Sequence, residues 1–390
     1  MGKDELLDII SCGETSMVKF KERMPSKDSL AQEMIAFSNT MGGLIIVGVS
    51  DKTGNLNWLT FQEIELTNRL FVDVASGKIF PPIFIQTETA CIDEHKLILI
   101  TVPEGLDKPY KTSSGAIYMK NGADKRVLTS NNEIARLLQS GKNIFADELP
   151  VEGSLISDVD LSQFEPFITK KYKQTIEGLN ISLSQLLENQ GLLKSGQLSL
   201  AGLLLFGKNR HKLRPMFSIQ CVSVDDRVLI GNLFLDNELA FEGTIAEVFE
   251  KAMGFIDRNM RKIPSGKSFN SLPIWQIPYG VFEELIINAL IHRDYFIPST
   301  IKIFIFADRI EIISPGKLPN SLTVENIENG ISIARNPILQ SIAQFVLPYK
   351  GLGTGIARAK SLYQGISFEN LTSSGQFKAI IAKPKNSLHD

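Results

Sequence analysis

The stretch EELIINALIHRDY, residues 283–295, decides how this chain is interpreted. At 100° per residue, Glu284, Asn288 and His292 fall on one face of a helix, with apolar residues beside them. A carboxylate, an amide and an imidazole over two turns are a poor choice for filling a core. They suit a site that holds a metal ion, a water molecule and phosphate oxygens. A solvated helix face is the alternative explanation.

Two glycine-containing segments further along favour the site. The first, Ser314-Pro315-Gly316, follows a predicted hairpin (residues 301–306 and 310–313), and its glycine allows a flat ligand to approach the backbone closely. The second places Gly351, Gly353, Thr354 and Gly355 before a predicted helix, whose exposed N–H groups and dipole suit phosphate. Such a segment alone is weak evidence, because it is also an ordinary helix start.

Composition limits the classes of protein that this chain can represent. It has 390 residues, 43% hydrophobic and 22% charged, which is typical of two or three globular domains. A net charge of −2 provides no overall attraction to nucleic acid, so nucleic-acid binding requires a local basic patch. The three cysteines lack metal-ligand spacing, and no apolar run is long enough to span a membrane. We expect a cytoplasmic protein without membrane association.

Periodicity and turn residues predict an α+β multidomain chain. The expected parts are residues 1–142, a linker and connecting α/β region over 143–265, and residues 266–390. In the first part we predict helices near 29–40 and 131–139, and strands over 44–49, 83–88, 96–102 and 116–120. Residues 143–165 have the acidic, Pro- and Gly-containing composition of a linker. Beyond them we predict apolar elements at 200–206 and 216–224, a helix over 242–260, and final strands at 366–370 and 376–382.

The C-terminal part resembles the GHKL-type ATPase domain of gyrases, histidine kinases and MutL, in its RecG-related or transcriptional-regulator subgroup. The resemblance lies in EELIINALIHRDY, in DRIEIISPG at 308–316, in RNPIL at 335–339 and in GTGI at 353–356. It implies a Bergerat-type α/β sandwich that binds ATP and Mg²⁺, with Glu284 as general base and Asn288 as the Mg²⁺ ligand. The implied cofactor-binding set is Asn288, His292, Ser314, Gly316, Gly351, Gly353, Thr354 and Gly355.

One position departs from that family. Its members read adenine with an aspartate two residues before the first glycine, where this chain has Ser314. A hydroxyl is a weaker acceptor than a carboxylate for the adenine amino group. The sequence therefore supports nucleotide binding more strongly than strict adenine selection or hydrolysis, and it predicts at most a weak ATPase.

The N-terminal part resembles the Schlafen AlbA-like domain, through ETSMVKFKE at 14–22, AFSNTMGG at 36–43, GVSD at 48–51 and AIYMKNG at 116–122. The resemblance implies binding to nucleic acid. Nuclease members hold a metal ion with two glutamates and one aspartate. Glu14 and Asp51 match two of these positions as a nuclease remnant, but Lys19 stands at the third. An ammonium group removes a metal ligand and adds repulsion.

Basic residues near these motifs are the candidates for phosphate contacts. They are Lys19, Lys21, Arg23, Lys120, Lys125 and Arg126.

These observations predict a nucleic-acid-binding protein, with DNA favoured over RNA, whose activity is modulated by ATP. We expect a transcriptional regulator or a component of a defence system, and the family resemblance implies a homo-oligomer. The sequence leaves two alternatives open. One is a metal-dependent nuclease that uses Glu14, Asp51 and Glu22. The other is a scaffold or oligomerisation protein with a vestigial nucleotide pocket.

Overall fold

The computed structural model describes residues 2–141, 144–229, 234–260, 262–263, 274–319, 322–349, 351, 353–372 and 374–384. The chain divides into two compact units, residues 1–144 and 145–390. Each unit has its own hydrophobic core. Within these described ranges, no helix is both long and apolar enough to cross a membrane.

The first unit is an α+β domain built on a four-stranded sheet. Its helices are α1 (Lys3–Cys12), α2 (Lys27–Asn39), α3 (Phe61–Gly77) and α4 (Asn131–Ser140). Its strands are β1 (Val18–Lys21), β2 (Gly43–Val47), β3 (Ile79–Phe80), β4 (Gln86–Ile92), β5 (His95–Val102), β6 (Lys111–Thr112), β7 (Tyr118–Asn121) and β8 (Asp124–Val127). The sheet order is β1-β2-β5-β4, with β1 and β2 parallel and the other neighbours antiparallel.

Most elements predicted for this unit are confirmed, and one strand begins later than expected. The strand predicted over 83–88 starts at Gln86 and continues to Ile92. Ile83 is buried in the core, but its N–H group donates to the Ala75 carbonyl at 3.1 Å. Its backbone therefore closes the end of α3 instead of joining the sheet, which the hydrophobic pattern of the sequence does not reveal.

The second unit contains nine α-helices and ten strands among its described residues. The helices are α5 (Leu161–Tyr172), α6 (Leu183–Asn189), α7 (Leu200–Phe206), α8 (Arg210–Leu213), α9 (Ile245–Asn259), α10 (Tyr279–His292), α11 (Val324–Glu328), α12 (Pro337–Val346) and α13 (Gly355–Leu362). The strands are β9 (Leu193–Lys194), β10 (Gln197–Leu198), β11 (Ile219–Ser223), β12 (Asp236–Glu238), β13 (Lys262–Ile263), β14 (Ile274–Trp275), β15 (Ile301–Ile305), β16 (Arg309–Pro315), β17 (Ile366–Leu371) and β18 (Gln376–Ala382).

A six-stranded sheet, in the order β12-β11-β15-β16-β18-β17, organises this unit. Strands β11 and β15 are parallel, and every other pair of neighbours is antiparallel. Helix α10 packs on β16 and also contacts α9 and α13. The predicted hairpin and final strand pair are confirmed, but β16 extends past the predicted end at residue 313 through Ser314 and Pro315.

The segment predicted to be a linker is folded from residue 145 onward. Its Ala146, Val151, Val159 and Phe164 are buried in the same core as Ile286 of α10. Each of these apolar residues is separated from the next by acidic, glycine or polar residues. The segment therefore has the composition of a linker, although its buried apolar residues anchor it to the core of the second unit.

Asp147 in this segment is a fully buried carboxylate at the start of α12. Its Oδ2 accepts the Leu339 N–H at 3.0 Å, while Oδ1 has no hydrogen-bond partner among the described residues. Burial outweighs the backbone hydrogen bonds and raises the pKa of Asp147 to about 7. The folded chain thus retains a proton between pH 4 and 7 that an unfolded aspartate would lose.

We predict that this proton makes the second unit less stable as pH rises from 4 to 7. Unfolding in denaturant should be followed by Trp275 fluorescence, in a Trp58→Phe background because Trp58 belongs to the first unit and is 60% exposed. The unfolding free energy of the wild type minus that of Asp147→Asn should fall across this range, by at most about 4 kcal/mol. A difference that does not change with pH would contradict the assignment.

Candidate functional site

Helix α10 is buried on most of its circumference, including polar positions. Glu284 is only 6% exposed, next to the buried Leu285. A charged group this deeply buried requires a partner or a ligand. The apolar residues of α10 hold the helix in the core, so its polar face is not needed for that packing.

The carboxyl end of α10 is fixed by the RNPIL segment. Asn336 donates from Nδ2 to the carbonyls of Ile291 (2.8 Å) and Arg293 (2.9 Å). Arg335 donates to the intervening carbonyl of His292 at 3.1 Å. These three consecutive carbonyls would otherwise be unsatisfied at a helix end. The segment thereby determines where the polar face of α10 stops.

Ser314 connects strand β16 to the same helix. Its hydroxyl is buried and donates to the Ala289 carbonyl at 3.3 Å. Its oxygen lone pairs remain able to accept. A carboxylate could not make this donor contact unless it were protonated. The serine thus has a packing role here that an aspartate would not reproduce.

Gly316 follows Pro315, at a position where no other residue type fits. Its φ is +105°, and a Cβ there would lie 2.6 Å from the Asp294 Cβ and 2.7 Å from Arg335 Nη1. The Asp294 N–H donates to the Pro315 carbonyl at 2.8 Å, which holds the two segments together. Glycine is therefore required both by conformation and by space.

The glycine-rich segment brings the start of α13 against α10. Gly351 and Gly353 have φ of +67° and +71°, and Thr354 precedes the first helical residue, Gly355. A Cβ on Gly355 would overlap Glu284 Oε2 and lie 3.3 Å from Asn288 Nδ2. The absence of a side chain allows the polar face of α10 to reach the start of α13.

One cavity is lined by every residue proposed from the sequence for cofactor binding or catalysis in this unit. These are Glu284, Asn288, His292, Ser314, Gly316, Gly351, Gly353, Thr354 and Gly355. Apolar groups form much of the remaining wall, among them Leu285, Ile312, Leu318, Ile327, Phe368 and Phe377. Such a mixture of an apolar recess and a few convergent polar groups is typical of a cofactor site.

Charge in the cavity is mainly positive. Arg358, Arg335 and Lys317 line it, and Glu284 is the one carboxylate among its described lining residues. Glu284 forms an ion pair with Arg358 of α13. Burial, together with the charge of Arg335, lowers the pKa of His292 to about 4, so this imidazole is neutral at pH 7. The cavity therefore suits an anionic ligand.

The sequence alone predicts no role for Arg358 or Arg335. Arg335 belongs to the RNPIL motif, and Arg358 lies four residues after Thr354, one turn into α13. A basic residue one turn after a glycine-rich helix start is the signal that could have identified Arg358.

Asn288 can supply the kind of oxygen ligand that a phosphate-bound Mg²⁺ needs. Its Nδ2 is buried with no hydrogen-bond partner among the described residues. Rotating the amide would place Oδ1 there, since the two assignments have the same shape. Mg²⁺ keeps several waters and phosphate oxygens, so one or two protein oxygens suffice. Over the described ranges, the structure contains no group of three or more His, Cys, Asp or Glu that could hold a metal ion by itself.

In the first unit, several candidate phosphate contacts are already paired. Lys19 lies 2.6 Å from Glu14, whose other oxygen accepts the Phe20 N–H at 2.8 Å. That pair more than offsets burial and raises the pKa of Lys19. Asp51 is exposed in a turn.

Glu33 of α2 holds two further candidates. Lys120 Nζ is buried 2.7 Å from one carboxylate oxygen and lies over the ring of Phe37, while Lys125 Nζ is 3.3 Å from the other oxygen. Arg126 pairs with Glu133.

Lys21 and Arg23 differ from these four residues. Neither has an ion-pair partner among the described residues, and Arg23 is exposed. Burial and the nearby charge of Lys19 lower the pKa of Lys21. Of the six candidates, these two are the best placed to receive an external phosphate.

Comparison with known families agrees with both resemblances. Residues 14–129 match the family model described as "Schlafen, AlbA_2". Residues 299–373 match the model described as "Putative ATP-dependent DNA helicase recG C-terminal". The chain is thus similar to Schlafen AlbA_2 domains over residues 14–129 and to RecG C-terminal domains over residues 299–373, and these similarities point to a nucleic-acid-associated, ATPase-like protein. The second match begins after α10, so Glu284 and Asn288 lie outside it.

Similar solved structures include the DIP2311 protein from Corynebacterium diphtheriae. It is 20% identical, with a TM-score of 0.48, over 95% of this chain and 76% of that one. The N-terminal domain of a putative ATP-dependent DNA helicase RecG-related protein from Nitrosomonas europaea is 18% identical, with a TM-score of 0.25. That alignment covers 34% of this chain and 96% of that one. No curated protein matches the sequence.

We predict that Gly316→Ala destabilises the second unit by about 2–4 kcal/mol, because a strained φ and a steric overlap act together. Gly375→Ala is the matched control. Gly375 also has a positive φ, +64°, but a Cβ there would meet nothing within 4 Å. It should cost about 1 kcal/mol. Equal losses for both variants in denaturant unfolding would show that the overlap at Gly316 is relieved.

Proposed function

We propose that this chain is a nucleic-acid-binding regulator whose second unit binds ATP with Mg²⁺. The observation that carries the proposal is the single cavity that unites the polar face of α10, Gly316 and the start of α13. Its charged lining and apolar recess match the two ends of a nucleotide. The ATPase-like family match of the second unit gives independent support.

Each part of the site then has a task. The N–H groups at the start of α13, together with Arg358 and Lys317, would bind phosphate oxygens. Asn288 would ligate the Mg²⁺ that neutralises part of the phosphate charge. The base would lie in the apolar recess near Ser314, whose hydroxyl can donate or accept and therefore selects adenine only weakly. His292 would contribute as a neutral hydrogen-bonding group.

Turnover is a separate step from binding. Glu284 is the candidate general base, but its carboxylate is ion-paired with Arg358 in this structure. A base held in an ion pair is a poor proton acceptor. Hydrolysis therefore requires this pair to open first, and we propose that it is weak, with ATP acting mainly as a regulatory ligand of a homo-oligomeric, cytoplasmic protein in transcription or defence.

The nucleic-acid interface is proposed for the first unit, around Lys21 and Arg23, with DNA as the preferred ligand. The supporting observations are its AlbA_2 family match and the absence of an ion pair at these two residues within the described ranges. The nuclease alternative is less well supported. The Lys19 ammonium stands 2.6 Å from Glu14 and neutralises one of the carboxylates that a metal ion would require.

Calorimetric titration of the full chain with ATP tests the nucleotide site. We predict binding in the presence of Mg²⁺ and a loss of at least about tenfold in affinity for Asn288→Ala, because a metal ligand is removed. With excess chelator the two proteins should bind ATP alike. Asn189→Ala, an exposed change on α6, is the control and should bind like the wild type. If wild-type protein shows neither binding heat nor a thermal shift, the ATP proposal is wrong.

Salt-dependent binding to labelled DNA tests the first unit. The double variant Lys21→Glu, Arg23→Glu should bind more weakly at every salt concentration, and its salt slope should be smaller by about 1 for each DNA phosphate that is no longer neutralised. Lys96→Glu, an exposed change on β5, has the same type of charge reversal and should have little effect. Unchanged affinity of the double variant would exclude this interface.

A further inference from the structure

The ion pair between Glu284 and Arg358 connects the two helices that form the polar end of the cavity. The Glu284 side chain is 7% exposed and that of Arg358 is 32% exposed. Both line the cavity. Arg358 is thus the more accessible of the two charges to a ligand.

The start of α13 supplies further donors to the same place. The Arg358 N–H is the first that bonds within the helix, to the Thr354 carbonyl at 2.9 Å. The preceding N–H groups, from Gly355 to Ala357, have no helical acceptor, and Thr354 forms no side-chain cap. The Glu284 carboxylate lies directly against Gly355. A negative charge of the protein itself therefore lies beside these donors.

We propose that Glu284 acts as an internal competitor for Arg358, and that a ligand phosphate displaces it and takes over the guanidinium. This inference rests on the proposed function of the cavity as a nucleotide site. A carboxylate and a phosphate cannot both occupy one guanidinium and one helix start without strong repulsion. Arg358 is then an anion-binding residue of the site, and Glu284 becomes available to a water molecule only when phosphate is bound.

The neighbouring carboxylate of Glu283 offers a way to distinguish competition by Glu284 from a general effect of negative charge. Glu283 also interacts electrostatically with Arg358, but it does not line the cavity. Neutralising Glu283 changes the charge near Arg358 without vacating the ligand position. Glu283→Gln is therefore the matched control for Glu284→Gln.

Calorimetric titration with Mg-ATP, and with adenosine as a probe that lacks phosphate, tests the competition. Glu284→Gln should bind Mg-ATP about tenfold or more tightly than the wild type, because the competing charge is gone. Arg358→Gln should bind it about tenfold more weakly. Adenosine affinity should be the same in all variants, and Glu283→Gln should match the wild type for both ligands.

The outcomes distinguish this inference from the function on which it rests. If wild type and Glu284→Gln bind Mg-ATP equally, or the variant binds more weakly, competition is overturned while the nucleotide site stands. If neither binds, both proposals fail. Binding by the variant alone would contradict the proposed ATP function of the wild type, and it would support competition because removal of the Glu284 charge would have permitted binding. Should Glu284→Gln not fold, Arg358→Gln and Arg358→Lys decide: the inference requires Mg-ATP affinity to fall in the order wild type, Lys, Gln, and equal affinities overturn it.

Discussion

The second unit depends on how the carbonyl groups at the end of α10 are satisfied. Asn336 and Arg335 donate to three consecutive carbonyls there, and Asn336 is almost completely buried in doing so. Unsatisfied carbonyls at that depth would cost about 1–3 kcal/mol each. The contacts set the rotation and the end point of α10, and with them the directions of Glu284 and Asn288. Glycines at 316 and 355 then let β16 and α13 approach that fixed helix.

The same arrangement explains why binding and turnover are separated in this site. The groups that would hold phosphate are backbone donors and arginines that exist in the folded chain without a ligand. The group that would activate water is instead engaged by one of those arginines. The first unit shows a comparable feature, because the carboxylates of Glu14 and Glu33 are paired with lysines of the same unit. In both units, internal ion pairs therefore involve candidate site residues that the family resemblances indicate.

Much of this could be predicted from the sequence, for identifiable physical reasons. The hairpin β15–β16 and helix α9 follow from periodicity and turn residues, which are local properties, whereas the clustering of Glu284 with Gly355 is expected only from the family resemblance. Pairings between distant residues could not be predicted. Nothing local indicates that Arg358 meets Glu284, that Lys120 is buried on Glu33, or that Ile83 uses its N–H on α3. Asp147 illustrates the same limit, since an acidic, Pro-containing segment contains a buried residue that accepts a hydrogen bond from Leu339, 192 positions away.

The parallel pairing of β11 with β15 has a practical consequence for dividing this chain. Residues 219–223 lie beside residues 301–305 in the middle of the six-stranded sheet, although some 80 positions separate them. A fragment beginning near residue 266 would retain the cavity residues but leave one side of β15 without its partner. An uncovered row of strand N–H and carbonyl groups pairs readily with other chains, so such a fragment would aggregate. The smallest piece suited to isolated study of the cavity is therefore the entire second unit, from residue 145.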